Sequence, residues 1–173
     1  MTKSDIPVMP QFFDRYINLA DNMLILDALE QGASFENLIP AKTLEALGDL
    51  RYAPNKWTVK DILQHVIDNE RIMTYRALRF ARTDQTSLPG YDEELFGRNT
   101  TALNRTIPDL YDEYAAVRAS TIALYKSFDA TVLLRSGIAF NQTISVLALG
   151  FVLVGHATHH ANIIRERYVP LLS

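Results

Sequence analysis

Chemistry in this chain starts with its histidines, of which there are four: His65, His156, His159 and His160. Three fall within five residues. On a helix that advances 100° per residue, His156 and His160 point within ~40° of each other. They share a face with Leu149, Leu153, Ile163 and Ile164, so both rings look inward. Consecutive turns place their Cβ atoms ~5–6 Å apart, close enough for two imidazoles to converge on one ion with bonds of ~2.0–2.1 Å. His159 points about 60° or more away from that face and is left out. The pair differs from the HExxH arrangement of zinc proteases, because position 157 is Ala and supplies no glutamate base. A third ligand must come from another helix. His65 borders an apolar stripe, and its position alone fits a ligand and a half-exposed structural histidine equally well.

The chain has no cysteine. Disulfides, thiolate metal sites and a cysteine nucleophile are excluded, and a reducing cytoplasm is the compatible setting. Any thiol chemistry needs a borrowed thiol. No GxSxG elbow, GxG loop or GK[ST] phosphate loop occurs. Asp92, Glu93 and Glu94 read as a solvated loop, with Tyr91 and Asp92 as weaker candidates for the mouth of a metal site. Arg167, which follows the His156 and His160 face, and Glu70, in the middle of an apolar stripe, complete the candidate acid/base list. The plainer reading of Glu70 is an ion pair with an arginine, since an unpaired buried carboxylate is very costly.

These residues need a scaffold. At 173 residues, 48% hydrophobic, 21% charged and net charge -3, the composition is that of one globular domain, 1–173, large enough for a real core. Lys and Arg number 17 against 20 Asp and Glu without a basic cluster, so nothing marks a nucleic-acid or anionic-lipid partner. The segment between Arg135 and Arg165 lacks charge, but its unbroken apolar run, Val146 to Val154, is too short for a bilayer of ~30 Å. It reads as a buried helix. Met1 to Pro10 lacks the apolar stretch of a signal peptide.

Prolines at 7, 10, 40, 54, 89, 108 and 170 leave three long helix-compatible windows. The first helix is expected from about Pro10 to Glu30, with Phe12, Phe13, Tyr16, Leu19, Ala20, Met23 and Leu26 on its core face. An irregular connector follows. Thr58 with Asp61 forms a capping box, with Trp57 stapled to Ile62, and opens a second helix to about Arg82. Thr83 to Arg105 reads as a lid or edge loop. Thr106 with Asp109 starts a third helix along Leu110, Tyr114, Val117, Thr121, Leu124 and Phe128, and the fourth runs from about Thr143 to Tyr168. Strand signals are nearly absent. The expected fold is all-α, a four-helix bundle with a long crossover between helices 2 and 3.

Three segments resemble the DinB-like (DinB/YfiT-like) family of four-helix-bundle metal proteins: WTVKDILQHVIDNE from Trp57, LPGYDEE from Leu88, and GHATHHANIIRERY from Gly155. The resemblance covers most of the chain. It implies a metal held by His65, His156 and His160, one from the second helix and two from the last. Three neutral imidazoles leave coordination positions open, as catalytic sites do, and suit zinc, nickel or iron without choosing among them. Family members of known activity include transferases and isomerases that use bacillithiol or mycothiol. The resemblance therefore implies a divalent-metal-dependent enzyme, with transfer of a low-molecular-weight thiol to a small electrophile as the leading reaction. The competing reading is a non-catalytic bundle that binds a ligand or protein through a structural or vestigial metal site. A small-molecule substrate, cytoplasmic location and a homodimer are the accompanying expectations.

Overall fold

The computed structural model describes residues 1–173. Its elements are α1 (Asp14–Ile17), α2 (Ile25–Gln31), α3 (Ala41–Leu47), α4 (Val59–Ala81), α5 (Glu93–Asn99), α6 (Ile107–Lys126), α7 (Ala130–Leu133), β1 (Ser136–Ala139), β2 (Gln142–Ser145) and α8 (Val146–Ile163). α4, α6 and α8 are three members of a four-helix bundle, and α1 with α2 forms the fourth. The crossover between α4 and α6 is long, and so is the connector from α2 to α4.

Both capping boxes form. Thr58 Oγ1 accepts from Asp61 N at 3.2 Å while Asp61 Oδ2 accepts from Thr58 N at 2.9 Å, and Thr106 pairs with Asp109 in the same way. Each such cap is worth about 1 kcal/mol. α4 stops where expected, with Thr83 in the left-handed region at φ 61° just beyond Arg82.

Four expectations are corrected. The first helix is split between Ile17 and Ile25, where the N-terminal segment takes its backbone groups: Lys3 Nζ donates to the Ala20 carbonyl, and Ile25 N donates to the Met1 carbonyl. Leu19, within the break, and Phe12, ahead of α1 with φ 69°, both leave the core, at 39% and 44% exposure. The connector before Thr58 contains α3, whose Leu44 and Leu47 are buried. The Thr83 to Arg105 segment is no bare loop, since α5 forms within it behind an Asp92 cap, and Leu88 and Ala102 are buried.

The start of the last helix is occupied by a hairpin instead. β1 pairs antiparallel with β2 in the register Gly137↔Ile144 and Ala139↔Gln142, and α8 begins at Val146 behind the Ser145 cap. Phe140 and Asn141 form its two-residue turn, both with positive φ of 52° and 58°, the pattern of a type I′ turn without its usual glycine. The Leu88 N–H donates to the Ile138 carbonyl and the Leu88 carbonyl accepts from Phe140 N, tying the crossover to this hairpin.

Two apolar clusters fill the bundle. One joins Met73, Ala77 and Phe80 of α4 to Val146 through Leu149 of α8. The other joins Val59, Ile62, Leu63, Val66 and Ile67 of α4 to Ala157 and Ala161 of α8. α4 and α8 therefore run antiparallel. Between the clusters lies a buried polar layer of Asn69 and Glu70 from α4, Arg118 and Thr121 from α6, and His156 from α8. Val146–Leu172 is long and apolar enough to cross a membrane, but 72% of its most apolar window is buried against the rest of the chain.

Candidate metal centre

α4 presents His65 two turns after its cap, and α8 presents His156 and His160 one turn apart. Antiparallel packing brings the three rings to one place, where all are buried. Their nitrogens meet through Nε2: His156 Nε2 lies 3.1 Å from His65 Nε2 and 3.2 Å from His160 Nε2. One potential ligand atom from each histidine lies within 4.8 Å of the others, and no carboxylate joins the group. Nitrogens about 3.3 Å apart are what a tetrahedral ion with bonds of ~2.05 Å requires.

Hydrogen bonding among the rings serves this cluster poorly. Each imidazole nitrogen has a single in-plane position, used either as an N–H donor or as a lone pair. His156 Nε2 has two nitrogen neighbours and can serve only one of them. A cation at the centre of the three lone pairs satisfies all three together. The donor set fits a divalent ion of the zinc, nickel or iron type.

The surroundings set ring orientation. Asn69 has its side-chain amide 3.2 Å from His156 Nδ1 and accepts a hydrogen bond from Tyr91 Oη at 3.0 Å. For His156 Nε2 to offer its lone pair, Nδ1 must carry the proton, and Asn69 must turn its carbonyl oxygen toward it. A half-turn of the amide does this and keeps both contacts. His160 Nδ1 has no hydrogen-bond partner within the chain, so packing against His65 and His159 positions that ring. Trp57 lies against His65 with ring centroids 4.9 Å apart, and the Tyr16 edge meets His156 at 5.1 Å. That approach of α1 needs Gly155: a Cβ there would stand 1.8 Å from the Tyr16 carbonyl oxygen.

Burial keeps the imidazoles neutral, as ligands must be. It pushes His65 down to about 4, with the charge of His159 adding to the effect. His156 and His160 are pushed well below the ordinary histidine value, first by burial and then by their neighbours.

The remaining candidates separate. Tyr91 reaches the centre through Asn69. Asp92 caps α5, accepting from Leu95 N at 2.9 Å, and is exposed. Arg167 is exposed and donates to Tyr52 Oη at 3.1 Å. Tyr52, Trp57 and Glu94 line a 160 Å³ cavity that reaches His160, so Arg167 stands near an entrance rather than at the ring nitrogens. Glu70 makes a two-pronged ion pair with Arg118, at 2.7 and 2.8 Å. Arg118 also donates to the Gly32 carbonyl at 3.2 Å. His159 lies outside the cluster, with its ring against Tyr16 at 5.3 Å. Asn69 and Arg118 had no distinguishing signal in the sequence beyond their places on apolar faces.

Four helices around three converging buried imidazoles define a helical-bundle protein with a metal-type donor set. The chain belongs to the DinB superfamily, whose family model matches residues 35–164, a span containing all three histidines. No curated protein matches it. Among solved structures, the chain resembles YfiT from Bacillus subtilis, described as a probable metal-dependent hydrolase with an unusual four-helix bundle topology. The two are 15% identical with a TM-score of 0.67, over 92% of this chain and 87% of that one.

Proposed function

We propose that His65, His156 and His160 hold one divalent ion and that the protein is a metal-dependent enzyme transferring a low-molecular-weight thiol to a small electrophile. The observation that carries this reading is the convergence of three buried Nε2 atoms with no carboxylate among them. A divalent ion bound there supplies a Lewis acid with open coordination positions, lowering the pKa of an incoming thiol or water.

The chain's own groups do the rest. The histidines stay neutral through burial, Asn69 fixes the proton of His156 on Nδ1, and Tyr91 fixes Asn69. Trp57 and the apolar clusters keep bulk water from the imidazoles. With no cysteine in the chain, the thiol comes from a cofactor or substrate. The reading carries with it a small-molecule partner, a reducing cytoplasm and a homodimer, with neither nucleic acid nor membrane as partner.

Hydrolysis is the second reading, favoured by the description of YfiT. It uses the same donor set with water in place of the thiol. The test compares bacillithiol, mycothiol and glutathione with a panel of electrophiles, using metal-loaded protein, metal-free protein and free metal. A thiol-free arm with ester and amide substrates reads hydrolysis. Thiol-dependent rates above free metal, lost in His156→Ala, support transfer. Turnover only in the thiol-free arm supports hydrolysis. Neither, across the whole panel, leaves a non-catalytic binding bundle.

A further inference from the structure

A second cavity, of 280 Å³, adjoins the histidine cluster through Tyr91. Tyr91 lines it, and its hydroxyl donates to Asn69. Phe12, Phe13, Met73 and Phe140 supply its apolar walls, and Arg76 supplies a charge. The volume is near the lower end for small-ligand pockets.

Arg76 is the unusual member. It is 4% exposed yet forms no ion pair. Nη2 donates to the Pro89 carbonyl at 2.8 Å, and Nη1 meets the Met73 sulfur at 3.3 Å. A guanidinium stays charged at any physiological pH, and burying it without a counter-ion is costly. Within the same bundle Arg118, which is fully buried, is neutralised by Glu70, whereas Arg76 lines a cavity without such a partner. No carboxylate forms an ion pair with Arg76, although acidic residues line the outer part of the same cavity.

The walls also carry strain. Phe12 and Phe140 both occupy the left-handed region, at φ 69° and 52°, which bulky residues rarely adopt. Their rings meet at 5.6 Å and stay about half exposed. Gly90 permits this placement, since a Cβ there would come within 2.5 Å of the Phe140 ring. Strained backbone that holds aromatic side chains half in water is a feature of ligand sites.

We propose that this cavity binds a small monoanion with an apolar body, its carboxylate seated on Arg76 and its body between Phe12 and Phe140. Asp92, Glu93 and Glu94 also line the cavity but are exposed. Asp92 is engaged as the α5 cap, and partial burial pushes the Glu93 carboxyl up, with the nearby charge of Arg15 offsetting part of that rise. A second negative group at the mouth would face these acids, so the site selects one charge. That the bound anion is the substrate rests on the metal-enzyme reading above; the binding does not.

The test uses the full chain after chelator treatment, with phenylacetate and its neutral amide, phenylacetamide, as probes. Affinity is read by calorimetry and by NMR shifts of the aromatic walls. Phenylacetate is expected to bind at least about tenfold tighter than the amide, as a charge-assisted pair requires, and to shift Phe12 and Phe140 signals. Arg76→Met should bring the acid down to the affinity of the amide. Phenylacetate should bind the chelator-treated and the metal-loaded protein alike, which separates this site from the metal centre. Equal binding of acid and amide, no binding, or phenylacetate binding only in metal-loaded protein would overturn the proposal. If Arg76→Met does not fold, the acid and amide comparison in the unaltered chain decides alone.

Discussion

The Asn69 amide sits 3.2 Å from His156 Nδ1, on the side of the imidazole away from its two histidine neighbours. It is the one side-chain hydrogen-bond partner of His156 outside the cluster, and with its carbonyl oxygen turned to Nδ1 it would hold the proton there and leave Nε2 free for an ion. Asn69→Leu keeps the apolar volume and removes the partner. Metal affinity should then fall about 10- to 100-fold, while Asn69→Asp, whose oxygens can only accept, should keep it. Competition with a metal-sensitive dye measures both, and a leucine variant as tight as the parent would remove Asn69 from this role.

Metal binding should also be visible as stability. Protein purified without a nickel column is expected to bind one divalent ion per chain by elemental analysis. Because the ion binds only the folded site, excess metal at 100 times Kd should add about 2.7 kcal/mol. His65→Ala, His156→Ala and His160→Ala should each lose the ion and its thermal shift. His159→Ala should retain both, and a loss there equal to the others would redraw the ligand set.

The ion pair between Glu70 and Arg118 supports the polar layer beside the centre. Arg118→Met leaves a buried carboxylate unpaired and should cost about 3–5 kcal/mol in urea unfolding. Glu70→Leu combined with Arg118→Met should recover much of that loss, because no orphan charge remains. If the double variant is as unstable as the sum of the single ones, the pair is not acting as a unit.

Acid should weaken the metal-free fold. His65 is held neutral down to about 4 when folded, whereas in the unfolded chain it protonates near ~6.5. Between those values the unfolded state binds more protons, so stability falls as pH drops through that window and levels off below it. By pH 5, His65 alone contributes a loss of about 2 kcal/mol relative to pH 7. Thermal unfolding of chelator-treated protein should show this slope, and His65→Gln should make it shallower. A slope unchanged in that variant would assign the acid sensitivity elsewhere.

Much of the bundle was legible in the residues themselves. Thr58 with Asp61 and Thr106 with Asp109 announce helix starts because a capping box is a local chemistry of four consecutive residues. His156 and His160 reveal a shared inward face because helical spacing alone sets their angle. Local chemistry also misled where it had a close competitor. The periodic stripe from Phe12 to Leu26 suggests one helix, yet Lys3 and the Met1 carbonyl, both outside the stripe, take the Ala20 carbonyl and the Ile25 N–H. The Phe140 and Asn141 turn carries no glycine, so the hairpin it closes left no signal.

What the sequence determined, then, was which side chains face inward along each helix, because a helix fixes direction within itself. What only the tertiary structure decided was which inward faces meet. The 3.1 Å approach of His65 to His156, the Asn69 amide behind that ring, the burial of Glu70 against Arg118 and the missing counter-ion of Arg76 all join residues from separate elements. Their distances depend on how α4, α6, α8 and the crossover pack, and packing is a balance of apolar clusters spread along the whole chain.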